Sequence, residues 1–342
     1  MKGEMVAIEA GDDGRRLDRW LRERYPQLNQ GRIEKLLRKG DIRVDGGKVK
    51  SNFRIAEWMT VTVPPLSDDP HAPTRGGKPT ISQADTRLIR DMVIYRDDHV
   101  IVLNKPPGIP VQGGTGQTHR HIDGLLPALA EEGDDRPKLV HRIDKDTSGL
   151  LLLARTGLAA RTLTAAFRSK AARKTYWAAV IGVPKPREGT IKAAIMKAPG
   201  TFGEKMTVID RDDLPNQPDA KRAVTDYATM DTAAQLAAWL TLRPVTGRTH
   251  QLRVHCSTMG HPIVGDGKYG PTADEAERRL TGAVSRKMHL HARHIVVPHP
   301  EKGHPPLDIR APLPEHMLHS WDLFGWDAKR VDDDEFLSEW TE

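Results

Sequence analysis

The stretch HRIDKDTSGLLLLART, residues 141–156, places a cluster of charged side chains directly before an apolar run. Asp144 stands between Arg142 and Lys145, just ahead of Leu150 to Ala154, which reads as a short buried strand. A carboxylate close to fixed positive charge stays ionised, the state a nucleophile needs; an ordinary structural ion pair has the same composition. Asp146, Thr147, Ser148 and Gly149 read as the polar turn before that strand. Ser148 lacks the first glycine of a G-x-S-x-G elbow, which argues against a serine hydrolase. A nuclease is disfavoured too, because no cluster of metal-binding carboxylates is evident.

Other polar groups are ambiguous by themselves. Arg253, in QLRVH, fits a helix-surface arginine or a phosphate contact, and Arg248 and His250 fit RNA-facing or structural roles. Lys105, before a Pro-Pro-Gly turn, fits a phosphate contact or a solvated turn residue, and Tyr176 fits a core or stacking aromatic. GGTGQT, residues 113–118, has the glycines of a phosphate loop without the Gly-Lys-Ser/Thr ending, so a flexible turn is expected. The histidines at 289, 291, 294 and 299 lie along a predicted strand on which only the first two share a face, so no metal site is expected. Cys256 is the single cysteine, which excludes an internal disulfide and a thiolate zinc site.

These groups need elements to hold them. The chain has 342 residues, 38% hydrophobic and 29% charged, which suits two soluble domains, and no window is apolar enough for a membrane helix. The first residues, MKGEMVAIEAGDD, are acidic and lack the apolar run of a secretory signal, so a cytoplasmic or equivalent reducing compartment is expected. Between Arg15 and Arg43, ten basic residues face four acidic ones, which accounts for the whole net charge of +6. Leu17, Trp20 and Leu21 make one apolar helical stripe; Ile33, Leu36 and Leu37 make another, ended by Gly40. IRVDGGKV then reads as strand, turn and strand, and TVTVPP as a further strand. A helix with this much Arg and Lys fits a solvated face as well as an RNA-binding one.

Residues 65–85 are rich in Pro, Gly, Ser and Asp and read as a flexible linker. Beyond them, strand-like runs outnumber helical ones and often follow each other directly, which predicts an α+β fold with a mixed, mainly antiparallel sheet over residues 86–322. Residues 323–342 read as an acidic tail, with Phe336 and Trp340 spaced for a short helix.

Residues 14–64 resemble an S4 RNA-binding domain, in RRLDRWLRER, GRIEKLLRKGDIRVDG and the VTVPP ending. That likeness implies RNA contacts from Arg15, Arg16, Arg19, Arg32, Lys35, Arg38 and Lys39. HRIDKDTSGLLLLA resembles the H-R-L-D-x-x-T-S-G-L signature of RluA-type pseudouridine synthases, with Ile143 in place of Leu. VLNKPPGIPVQGG, KTYWAAVIG, VTGRTHQLRVH and KMHLHARHIVVPHP follow in the family's order, so the likeness spans about residues 14–300 and is nearest to the RluC branch.

The resemblance implies Asp144 as nucleophile, Tyr176 against the target base, Arg253 paired with the catalytic carboxylate and Leu290 packed in the active site. Arg142, Lys105 and Arg248 are expected to bind substrate around them. Making pseudouridine breaks the C1′–N1 bond and joins C1′ to C5 of the same base, with no change of redox state, so no cofactor or metal is expected. Attack at C1′, assistance to glycal formation and addition to C6 all fit an aspartate, and the base must leave its stack. Large-subunit ribosomal RNA is the expected substrate and a monomer the expected state. The rivals are a synthase acting on transfer RNA and a non-catalytic RNA-binding or ribosome-assembly protein.

Overall fold

The computed structural model describes residues 3–66, 81–113, 120–198, 205–209, 214–272, 275, 280 and 282–329. The chain divides into two compact units, Met1–Thr80 and Ile81–Glu342. Most of the expected linker, the GGTGQT turn and the helix expected around Phe336 and Trp340 lie outside the described residues.

In the first unit, β1 (Glu4–Ala7) is followed by α1 (Leu17–Arg24), α2 (Gln30–Lys39), β2 (Arg43–Val44) and β3 (Thr60–Val63). The sheet order is β1-β3-β2. Both helices bury the stripes read from sequence: Leu17, Trp20, Leu21, Ile33 and Leu37 pack with Val44, Val61 and Val63. Asn29 caps α2 by accepting the Arg32 N–H at 2.9 Å, and Gly40 closes it in the left-handed conformation, φ 83°.

Two expectations change here. The strand expected after the Asp-Gly turn does not form; Val44 and Gly47 exchange two hydrogen bonds, and the ladder of β2 runs instead to β3. The third strand of the sheet is β1, before residue 14, pairing antiparallel with β3 from Glu4↔Val63 to Ala7↔Thr60. Only one of its four residues is buried, so it carries no strong alternation to be read.

The second unit has α3 (Gln83–Asp91), capped by Ser82, as its first helix, so a helix begins inside the segment read as linker. There follow β4 (Val93–Arg96), β5 (Val100–Lys105), α4 (Ile122–Leu125), β6 (Lys138–Leu139), β7 (Ser148–Ala154), α5 (Gly157–Ser169), β8 (Arg173–Ile181) and β9 (Glu188–Lys197). The chain continues through β10 (Met206–Ile209), β11 (Lys221–Ala233), β12 (Ala237–Pro244), α6 (Gln251–Thr258), β13 (Leu290–Val297), β14 (Leu307–Arg310) and α7 (Glu315–Phe324). Eleven strands form one sheet, ordered β10-β9-β11-β12-β8-β13-β7-β5-β4, with β14 beside β13 and β6 beside β7. Among the described residues only β13 and β7 pair in parallel, so the sheet is mixed and mainly antiparallel. The tail boundary at 322 is corrected: α7 runs through it, and Trp326 is buried against Trp239 and Trp321.

The apolar run of the signature is an interior strand of this sheet, between β13 and β5. Leu150, Leu152 and Ala154 pack on the α5 side with Ala159 and Leu163, while Leu151 and Leu153 face Ile89, Ile122 and Leu126. A strand covered on both faces needs an unbroken apolar sequence, which is what LLLLA supplies. The polar turn is shorter than expected, because Ser148 and Gly149 already belong to β7. Ser148 is buried, and its Oγ lies 2.9 Å from His291 Nδ1. Gly149 has φ 103°, and a Cβ there would meet the Ala292 carbonyl oxygen at 2.3 Å. The close parallel approach of β13 to β7 therefore requires glycine.

Buried histidines, among them His289, His291 and His255, give the unit a pH dependence. Burial pulls His289 and His291 down to about 3 and His255 to about 4. The unfolded chain binds these protons near 6.5 and the folded chain only near 3 to 4, so stability is full above 6.5 and falls as pH drops through that window. The slope is about 1.4 kcal/mol per pH unit for each histidine. Urea midpoints are expected to fall between pH 7.5 and 5, less steeply in His289→Gln.

Candidate active site

Asp144 lies in the loop between β6 and β7, and the end of β5 holds that loop. Lys105 Nζ donates to the carbonyls of Pro106 at 2.8 Å and Lys145 at 2.9 Å, and the Gly108 N–H donates to the same Lys145 carbonyl at 2.9 Å. Lys105 is fully buried, which corrects the expectation of a solvated turn residue or phosphate contact. Burial lowers its ammonium to about 7, against the opposing pull of Asp146 and Asp144.

Arg253 comes from α6. Its Nε and Nη2 each donate to Asp266 at 2.7 Å, leaving Nη1 3.4 Å from Asp144 Oδ2. Arg253 is not on the helix surface but 6% exposed, and its guanidinium lies 5.1 Å from the Tyr269 ring centre. Burial opposes ionisation of Asp266, but the arginine fork and the Lys268 and Tyr269 N–H groups outweigh it and hold the carboxyl below its usual range. The fork thus fixes the arm that reaches Asp144.

The turn before α6 is fixed just as tightly. Buried Gln251 donates to the Val224 carbonyl at 2.8 Å and Thr225 Oγ1 at 2.9 Å, and accepts from Thr246 Oγ1 at 2.7 Å and the Arg248 N–H at 3.1 Å. His250 adopts φ 52° at the helix start, a conformation costing a non-glycine residue about 1–3 kcal/mol. Its Nδ1 meets Tyr269 Oη at 2.8 Å, and its Nε2 lies 3.9 Å from Asp144 Oδ2.

Asp144, Thr246, His250, Gln251 and Arg253 line one cleft of about 790 Å³, within the range of about 300–1,000 Å³ common for small-ligand sites. Tyr176 on β8 and Leu290 at the start of β13 supply apolar surface, and Arg142, Lys145 and Arg248 reach the same cleft. Burial, then the Asp144 charge, pushes the Tyr176 phenol far up, so it is neutral at physiological pH. His141 also lines the cleft; its Nε2 accepts the Leu152 N–H at 2.9 Å, and its ring stacks on Phe167 at 4.3 Å. Lys105 is absent from the lining.

Of the residues expected from sequence, the structure thus gathers Asp144, Arg253, Tyr176, Leu290, Arg142 and Arg248. It adds Asp266 and Tyr269, which the sequence reading missed. GDGKYG, residues 265–270, signals only a turn, and nothing local marks its aspartate as the partner of an arginine 13 residues earlier. In the first unit, Arg15 pairs with Asp12 and Glu23, and Arg16 with Asp18. Arg19, Lys35, Arg38 and Lys39 are exposed and make no ion pair among the described residues.

The mixed sheet thus carries, just ahead of its interior strand β7, a carboxylate that faces a buried arginine whose fork is locked on a second carboxylate. Residues 99–258 match the family model of RNA pseudouridylate synthase. The human RNA pseudouridylate synthase domain containing 4 protein superposes with a TM-score of 0.58 at 29% identity, covering 70% of this chain and 95% of that one. Ribosomal large subunit pseudouridine synthase C of Vibrio vulnificus is 34% identical over 92% of this chain and 95% of its own length. The Escherichia coli protein of that name is 33% identical over 92% of this chain and 94% of its own. The chain belongs to the RNA pseudouridylate synthase family and is an RNA pseudouridine synthase, an isomerase.

Proposed function

We propose that this enzyme isomerises specific uridines of large-subunit ribosomal RNA, with Asp144 as the nucleophile. The observation that carries the reading is the Asp144 carboxylate within reach of Arg253 Nη1, while the other arms of that arginine are locked on Asp266. An ionised carboxylate positioned in this way can attack the nucleoside. The C1′–N1 bond breaks, the base turns, C1′ joins C5, and the C5 proton leaves. Tyr176 and Leu290 form the apolar wall against the base, and Arg142 and Arg248 bind the flanking backbone. The relatives named for the large ribosomal subunit support the substrate. Pseudouridine mapping in ribosomal RNA from cells with and without the gene tests it; loss of sites only from transfer RNA would favour the transfer-RNA alternative.

The first unit serves in this reading as an S4-like RNA-binding domain, with β1 added to the segment 14–64. The start of the second unit at Ile81 and of α3 at Gln83 supports a catalytic domain that begins a few residues before 86. A monomer is the state this reading takes, and no helix among the described residues is long and apolar enough to cross a membrane. A cytoplasmic place of work suits a ribosomal substrate.

Exchanging Arg19, Lys35, Arg38 and Lys39 for Gln tests the RNA-binding role. Each lost phosphate contact lowers the dependence of log affinity on log salt by about 0.7–0.9, so a drop of about 3 is expected in a filter-binding series. An unchanged slope would make these helices a solvated face.

A further inference from the structure

A second cluster of reactive side chains lies at the end of β7 away from Asp144. There the turn between β4 and β5, which carries Asp97 and His99, meets the segment between β13 and β14, which carries His299, Glu301 and His304. The pairing Val100↔Ala154 places this turn beside the last residue of β7.

From this geometry we propose that His299, Glu301 and His304, all on the segment between β13 and β14, form a binding site for a divalent ion of the Zn²⁺ type, whose ligands the turn between β4 and β5 braces from outside. One ligand atom from each lies within 4.8 Å of the others, and His304 Nε2 is already 3.2 Å from Glu301 Oε2. Tetrahedral ligands at about 2.0–2.1 Å from zinc stand slightly over 3 Å apart, so small side-chain rotations complete the set. Two imidazoles and a carboxylate suit zinc and leave a fourth position for water.

The surroundings are those of a supported metal site. His299 Nε2 lies 3.2 Å from Asp97 Oδ2, and its Nδ1 accepts the Glu301 N–H at 3.1 Å; Nδ1 ligates when its lone pair turns from that N–H to the ion, while Nε2–H stays on Asp97. Asp97 is itself fixed by the His99 and Val100 N–H groups, both at 2.7 Å, and by the Tyr95 hydroxyl at 2.6 Å. His99 Nε2 meets Glu301 Oε2 at 3.0 Å, while its buried Nδ1 has no hydrogen-bond partner. Both a ligating histidine and the ligating carboxylate thus have an outer partner that sets their orientation. The His299 and His304 rings stack with their centres 4.6 Å apart.

The sequence reading grouped His299 with positions 289, 291 and 294. The structure separates them: His289 bonds Ser320, His291 bonds Ser148 and His294 bonds Asp308. Only His299 joins Glu301 and His304.

The test is Zn²⁺ titration of the untagged, chelator-stripped full chain against a chromophoric competitor. Wild type is expected to bind about one equivalent at micromolar affinity or tighter, with a rise in Tm. His299→Gln/His304→Gln and, separately, Glu301→Gln are expected to lose that equivalent, and Asp97→Asn to bind about tenfold more weakly. Circular dichroism and undiminished uridine isomerisation establish that the variants are folded. No uptake by wild type, or an equivalent retained in both ligand variants, would overturn the site.

Discussion

Asp144→Asn is expected to abolish uridine isomerisation, by about 10⁴-fold or more, while leaving RNA affinity nearly unchanged. An amide has the size of the carboxylate but neither its charge nor its nucleophilicity. The substitution spares the fold because the Asp144 side chain is 25% exposed and Arg253 keeps its fork on Asp266. Single-turnover kinetics beside filter binding separate the two effects. Turnover within tenfold of wild type would remove Asp144 from the attacking role.

Arg253 offers the second large effect, of a different kind. Arg253→Ala strips the buried Asp266, whose side chain is 0% exposed, of its cation, which costs about 3–5 kcal/mol and removes the charge beside Asp144. Arg253→Lys keeps a charge, but an ammonium cannot span both Asp266 oxygens and still reach Asp144. Its turnover is expected to fall by about 10²–10³. Arg253→Ala combined with Asp266→Ala removes the orphaned charge and is expected to recover part of the lost stability without recovering turnover. If turnover returned with stability, Arg253 would act only through the fold. Denaturant midpoints and rates measured on the same preparations decide between these outcomes.

What could be read in advance follows from the range of the interactions involved. The strand in LLLLA, the stripes of α1 and α2 and the Gly40 cap are local, and each was legible. The antiparallel bias of the sheet followed from strand-like runs that succeed each other without helices. Lys105 was not legible, because its burial depends on the Lys145 carbonyl 40 residues away, while its Pro-Pro-Gly context looks like a surface turn. Asp266 and the Ser148–His291 pair escaped for the same reason; the partners lie on segments that only the sheet brings together. The signature itself divides on physical grounds: Asp144 faces the cleft, Gly149 lets β13 approach, and Thr156 caps α5 by accepting the Ala159 N–H at 3.1 Å.

Release of tritium from C5-labelled uridine tests the central claim most directly, since the C5 proton leaves only when C5 becomes bonded to C1′. Large-subunit ribosomal RNA from cells lacking the gene, incubated with the purified enzyme without added cofactor, is expected to release tritium in a fixed stoichiometry to RNA. Asp144→Asn is expected to release none. No release from that RNA by the wild-type enzyme, at protein concentrations that bind it fully, would contradict the account.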